Sequence, residues 1–272
     1  MSQKGTNIRQ TVQKHYAEKA KSADCCSDAS VSSSCCGSVD INEYGQAIGY
    51  SLDDLQVLPD GANLALGCGN PLAYANVQPG ETILDLGSGG GMDAFLAARL
   101  VGEQGFVIGV DMTPEMIDLA RKNAHKTGFT QVDFRKGMIE QLPVDDDSVD
   151  LVISNCVVNL SLDKARVYQE TYRVLKPGGR IAISDPVRVA EMPEDVKNRE
   201  NAYSSCIAGA ASVDEIQTYL QDAGFENIQI IPKGASDAVI NTWANSDNPE
   251  LVLGDYVVSM LISAQKPQVQ ED

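Results

Sequence analysis

From residue 80 onward the apolar positions fall into blocks that alternate between two periods. ETILDLG (81–87), with Ile83, Leu84 and Leu86, reads as a short buried strand running into a glycine turn. MDAFLAARLV (92–101) then reads as a helix and GFVIGVD (105–111) as a second strand. PEMIDLARKNAHKTG (114–128) predicts a helix with Pro114 in its first turn and Gly128 at its end. VDF (132–134), VDLVIS (149–154) and GGRIAIS (178–184) read as strands, with a helix over 162–174 between the last two. Two further helical stretches are expected beyond 190, then IQIIP (228–232) and YVVSMLISA (256–264) as closing strands. Strands alternating with helices predict a doubly wound, mostly parallel α/β sheet covered on both faces.

Upstream, residues 5–20 predict a short amphipathic helix with Ile8, Val12, Tyr16 and Ala20 on one face. Residues 21–40, KSADCCSDASVSSSCCGSVD, are a low-complexity stretch carrying two cysteine pairs. The expected division is an N-terminal helix and cysteine-rich segment (1–45), a nucleotide-binding domain (46–190) and a C-terminal region that completes the sheet (191–272).

Charge narrows the range of partners. Of 272 residues, 38 are acidic and 21 basic, a net charge of −17 that repels phosphate backbones and makes nucleic acid a poor substrate. No apolar run approaches the ~20 residues of a membrane helix, and MSQKGTNIRQTVQKHYAEK lacks the apolar centre of a secretion signal. A soluble, cytoplasmic monomer that does not engage membranes is expected. Histidine occurs only at His15 and His125, which disfavours a histidine metal site or a Ser-His-Asp triad. The seven cysteines read as redox, metal-binding or catalytic thiols, because a cytosolic chain does not keep a disulfide framework.

DLGSGGG (85–91) lies between a strand and a helix, where Gly87, Gly89 and Gly91 permit tight turning and close approach of a ligand to the backbone. Asp111 ends the second strand, about 20 residues further on, where an acid can accept hydrogen bonds from ribose hydroxyls. These features leave both NAD and S-adenosylmethionine open. Three details favour the second: an acid, Asp85, opens the loop; only one nucleotide-binding half is evident; and LKPGG (175–179) precedes a strand. With DLGSGGG, GVDMT, VDLVISN and LKPGG in this order, residues 80–190 resemble the class I S-adenosylmethionine methyltransferases. The resemblance implies a glycine loop (Asp85, Gly87, Ser88, Gly89, Gly91) around the methionine part of S-adenosyl-L-methionine. It also implies Asp111 and Met112 on the ribose, adenine beside Gly137-Met-Ile-Glu140 (with Ile139 and Glu140), and Asn155 at the cofactor.

The cysteines bear on the substrate. Cys156 follows the fourth strand in SNCVVNL, at the sheet edge where ligands of open α/β folds bind. Cys68 lies in GCGNP before the first strand, and Cys206 in YSSCIAGA after the fifth. Cys68 and Cys206, in Gly- and Ser-containing segments, are expected to stand apart from Cys156 until a substrate bridges them. Three converging thiolates suit a soft, thiophilic centre. NLALGCGNPLAYANVQPGETILDLGSGGG, GVDMTPEM, SNCVVNLSLDK and CIAGA together resemble the arsenite methyltransferases over residues 44–265. That resemblance implies trivalent arsenic, delivered as arsenite or its thiol conjugates, bound by Cys68, Cys156 and Cys206. It implies as well a further N-terminal cysteine in thiol–disulfide exchange, for which the SCCG pair Cys35 and Cys36 is favoured over Cys25 and Cys26. A thiol reductant, thioredoxin or glutathione, would reopen the disulfide. The rival readings are a C-methyltransferase of the quinone-biosynthesis type and a non-catalytic thiol-based arsenic or metal binder.

Overall fold

A computed structural model describes residues 3–25, 41–193, 207–233 and 253–269. Seven strands form one sheet: β1 (Thr82–Leu86), β2 (Phe106–Asp111), β3 (Val132–Lys136), β4 (Val149–Asn155), β5 (Leu175–Arg188), β6 (Glu226–Pro232) and β7 (Val257–Gln265), in the order β3-β2-β1-β4-β5-β7-β6. β1 pairs in parallel with both β2 and β4, while β7 runs antiparallel to β5 and β6. The expected mostly parallel sheet is therefore present, with one reversed strand near its end.

The central strands are apolar almost throughout because both of their faces are covered. Alternate side chains of β1 go to opposite layers. Leu84 and Leu86 join Val167 and Tyr168 of α6 (Lys164–Val174) and Leu220 of α7 (Val213–Ala223). Ile83 joins Phe95 of α4 (Met92–Val101) and Ile117 of α5 (Pro114–Thr127) on the other side. Helix ends follow local chemistry. Pro114 opens α5 and Gly128 closes it in the left-handed region at φ 72°, while Ser212 and Glu215 form a reciprocal capping box at the start of α7.

The N-terminal helix α1 (Gln3–Cys25) is longer than expected. Of its buried positions Val12, Ala17 and Ala20, the first and last lie on the predicted face, and Tyr16 and Ala20 pack with Met116 and Leu119 of α5. Two short helices, α2 (Ile41–Ala47) and α3 (Leu52–Gln56), were not expected from the sequence. Of the two helical stretches expected beyond residue 190, α7 is one, and the described residues contain no second. No helix among the described residues is long and apolar enough to cross a membrane.

Candidate active site

The chain reverses its winding between β1 and β4, and a cleft opens at the carboxyl ends of these strands, the usual ligand position in such sheets. Gly87, Gly89 and Gly91 take φ of 70°, 50° and 96°, a region that costs other residues strain. The Gly87 and Ser88 amides both donate to the Val110 carbonyl, at 2.7 and 3.1 Å, which ties the loop to the end of β2. Asp111 completes that tie. One of its oxygens accepts from the Gly89 amide at 3.0 Å and the other from Thr113 at 2.8 Å. Burial raises its pKa, and these two amides oppose the shift. Asp111 therefore braces the loop as well as facing the cleft.

A buried acidic cluster lies beneath the loop. Tyr50 donates to Asp93 at 2.5 Å, and the Asn155 amide group lies 2.9 Å from the Tyr50 hydroxyl and 3.1 Å from the other Asp93 oxygen. Desolvation, then the charges of Asp93 and Asp111, push the Asp85 carboxyl well above the usual range. Asp85 Oδ2, Ser88 Oγ and Glu140 Oε2 are all buried without a hydrogen-bond partner among the described residues, and all three residues line the cleft. Buried polar atoms are rarely left unpaired. Their convergence, with carboxylates at the base of the cleft, fits a ligand that carries a cationic group and several hydrogen-bonding groups.

The outer wall comes from α1, which the sequence did not indicate. Arg9 pairs with Glu140 at 3.2 Å, Ser161 donates to the same Glu140 oxygen at 2.8 Å, and Gln13 donates to the Met112 carbonyl at 3.1 Å. Met112 and Ile139 line the cleft between them.

Cys156 follows β4 directly and holds φ at 64°, a strained value for a residue with a side chain. Its amide donates to the Ser184 carbonyl at 2.7 Å. Cys68 is fully buried, and its Sγ lies 3.3 Å from that same carbonyl. Two bonds fix its loop: Asn155 Oδ1 accepts from the Cys68 amide at 2.9 Å, and Ser259 donates to the Cys68 carbonyl at 2.9 Å. The two sulfurs and a carboxylate oxygen of Asp185 lie within 4.8 Å of one another. Cys68, expected to stand apart, is thus already seated against Cys156. Cys206, Cys35, Cys36 and Cys26 fall outside the described residues. Asp185 accepts from the Asn159 amide at 3.1 Å, and burial raises its carboxyl to about 7 against that amide and Lys164.

Tyr50, Asp93, Asp185 and Arg9 were missed by the sequence reading. Asp185 had a usable signal, since it directly follows the strand GGRIAIS and so falls at the ligand edge of the sheet. Asp93 had one too, two residues past the glycine loop. Tyr50 and Arg9 come from segments whose position depends on tertiary packing alone.

A nucleotide-type cleft with a glycine loop, a strand-end acid and a reversed terminal strand defines a class I methyltransferase fold. The chain belongs to the methyltransferase-domain family, whose model matches residues 78–224. Among curated relatives it is 50% identical to an arsenite methyltransferase of Halobacterium salinarum over 265 residues, covering 95% of this chain and 66% of that protein. It is 38% identical to the mouse arsenite methyltransferase over 216 residues, covering 76% of this chain and 55% of that one. The chain thus spans between about half and two thirds of the length of these relatives. Among solved structures, CrArsM, an arsenic(III) S-adenosylmethionine methyltransferase from Chlamydomonas reinhardtii, superposes with a TM-score of 0.59 at 32% identity. The match covers 85% of this chain and 74% of that one.

Proposed function

We propose that this protein transfers methyl groups from S-adenosylmethionine to trivalent arsenic held by cysteine thiolates. The observation that carries the reading is the buried pair Cys68 and Cys156, whose sulfurs lie within 4.8 Å of each other beside the glycine-loop cleft. The arsenite methyltransferases among its relatives point the same way.

S-Adenosylmethionine supplies an electrophilic methyl group on a sulfonium. In this reading Asp85 and Asp93 face its cationic end, Asp111 takes the ribose hydroxyls, and Ile139 and Glu140 border the adenine. Ser88 and Asn155 contribute polar contacts, and Gly87, Gly89 and Gly91 let the backbone come close.

Arsenite, free or as a thiol conjugate, exchanges its oxygen or sulfur ligands for Cys68, Cys156 and Cys206. Arsenic carries a lone pair and no proton on the attacking atom, so methyl transfer needs no general base. The chain aligns arsenic, carbon and sulfur and excludes water. Each transfer formally oxidises arsenic to the pentavalent state. Two thiols, Cys35 and Cys36 in this reading, return two electrons by forming a disulfide, which thioredoxin or glutathione reopens. The protein acts in the cytoplasm as a monomer. The quinone-biosynthesis alternative gives no reason for a buried thiol pair of which one member, Cys156, lines the cleft.

The test is to incubate the purified full chain with arsenite, S-adenosylmethionine and a thiol and to separate the arsenic species chromatographically. Methylated arsenic is expected. Its absence from a folded, cofactor-binding protein would overturn the reading.

A further inference from the structure

Asp185 has no part in the chemistry above, yet it shares the space of the two thiols. It is 2% exposed, it lies at the carboxyl-terminal part of β5, and its Oδ1 has no hydrogen-bond partner among the described residues. A buried carboxyl group with an unpaired oxygen is costly unless something completes it. The three groups come from three parts of the chain: the loop before β1, the end of β4, and β5.

We propose that Cys68, Cys156 and Asp185 form a binding site for a soft or borderline divalent cation, zinc or cadmium. The chemistry of the donor set selects the ion. Two thiolates favour thiophilic metals and exclude magnesium and calcium, which take oxygen donors in larger numbers. One carboxylate completes a three-ligand set of the kind that leaves a fourth position open.

The spacing permits this. Zinc–sulfur bonds of about 2.3 Å and zinc–oxygen bonds of about 2.0–2.2 Å in a tetrahedron place donor atoms roughly 3.5–3.8 Å apart. The donor atoms here lie within 4.8 Å of one another, so rotations of side chains by about an ångström close the site. On binding, two metal–sulfur bonds and one metal–oxygen bond form as the cation sheds water ligands, and the two thiol protons, with the Asp185 proton where that carboxyl is protonated, leave to buffer. No electrons move.

The cation site stands on this geometry and does not require arsenic methylation. It does have a consequence for it: a cation on these sulfurs and a thiophilic substrate exclude each other. The protein would then sense thiophilic metals through the same pair that captures its substrate.

The test uses cadmium chloride and no arsenic or S-adenosylmethionine. In the full chain, Cys25, Cys26, Cys35, Cys36 and Cys206 are replaced by serine, which leaves Cys68 and Cys156, and a phosphine keeps both reduced. Cadmium titration should raise the ultraviolet thiolate-to-cadmium band to a one-to-one endpoint. Adding Cys156→Ser should remove most of that band. Adding Asp185→Asn should weaken cadmium binding at least tenfold with an unchanged melting curve, because the amide keeps the shape and loses the charge.

A smaller loss in Asp185→Asn, or an undiminished band in Cys156→Ser, would overturn the site. A second measurement covers loss of folding in the multiple variant. In the unmutated chain, cadmium should slow alkylation of Cys156, which lines the cleft, and protection confined to the other cysteines would also overturn it. Failure here with arsenite still methylated removes the cation site alone.

Discussion

Cys68 and Cys156 converge on one carbonyl. The Ser184 oxygen accepts the Cys156 amide at 2.7 Å and lies 3.3 Å from Cys68 Sγ. Residues 116 positions apart in sequence, Cys68 and Ser184, are thereby brought to the same point, and β5 sets the spacing of the two thiols. Asn155, next to Cys156, receives the Cys68 amide as well and reaches the acidic cluster under the glycine loop. The thiol pair and the cofactor cleft are therefore one connected structure, and a change in either is felt by the other.

Removing the Asp111 carboxylate should weaken S-adenosylmethionine binding. Asp111→Ala loses a charged acceptor in the cleft and its grip on the Gly89 and Thr113 amides. The expected cost is about 1.5–3 kcal/mol, or roughly ten- to a hundredfold in affinity. Titration calorimetry on a folded variant checks it, and unchanged affinity would remove Asp111 from the cofactor site.

Gly87→Ala should disrupt the cleft more severely than its size suggests. Gly87 sits at φ 70°, and a methyl group there would meet the side chain of Val157, beside Cys156. Both strain and overpacking act on the same loop, with a combined cost of about 2–4 kcal/mol. A lowered melting temperature together with lost cofactor binding is expected, whereas wild-type values for both would contradict the assigned geometry.

A pH dependence of stability should come from Glu170, away from the cleft. Burial raises its pKa, but Arg173, the Leu142 amide and Arg166 outweigh that, and the net shift is downward. A carboxyl with a depressed folded pKa contributes stability that is present above its unfolded value, about 4.3, and lost as pH falls through the folded one. Glu170→Gln breaks the pairs with Arg166 and Arg173, at 3.1 and 2.7 Å, and should cost about 2–4 kcal/mol at neutral pH. Denaturant unfolding should show the gap between wild type and variant narrowing below pH 4.3, and a gap constant down to pH 3 would contradict the assignment.

Replacing Cys35 and Cys36 with serine should slow repeated turnover more than the first methyl transfer. Their serine-rich context suits a shuttle better than a rigid ligand site. Equal losses in single-turnover and steady-state rates would argue against a reductive task, and a direct loss of arsenite affinity would mark one of them as a ligand.

The sheet was legible in the sequence because its signals are local. Buried strands such as β2, with FVIGV (106–110), carry continuous apolar runs, and Pro114, Gly128 and the glycine loop mark helix ends and turns within a few residues. Asp111 and Cys156 were found for the same reason, since each directly follows or ends a strand. The rest of the site depends on distant packing. Nothing near Tyr50 indicates a bond to Asp93, 43 positions on, and nothing in α1 indicates that Arg9 reaches Glu140. The seating of Cys68 needed Ser184 and Ser259, which approach it only once β5 and β7 are paired.

The most direct test compares the full chain with its Cys156→Ser variant in a single-turnover assay containing arsenite, S-adenosylmethionine and a thiol, with arsenic species separated by chromatography. The wild-type chain should form methylated arsenic. Cys156→Ser should form essentially none while still binding S-adenosylmethionine, because a hydroxyl is a harder and far less acidic ligand than a thiol. Methylation by the serine variant at the wild-type rate would contradict the thiolate site, and no methylation by a wild-type chain that binds the cofactor would contradict arsenic as the substrate.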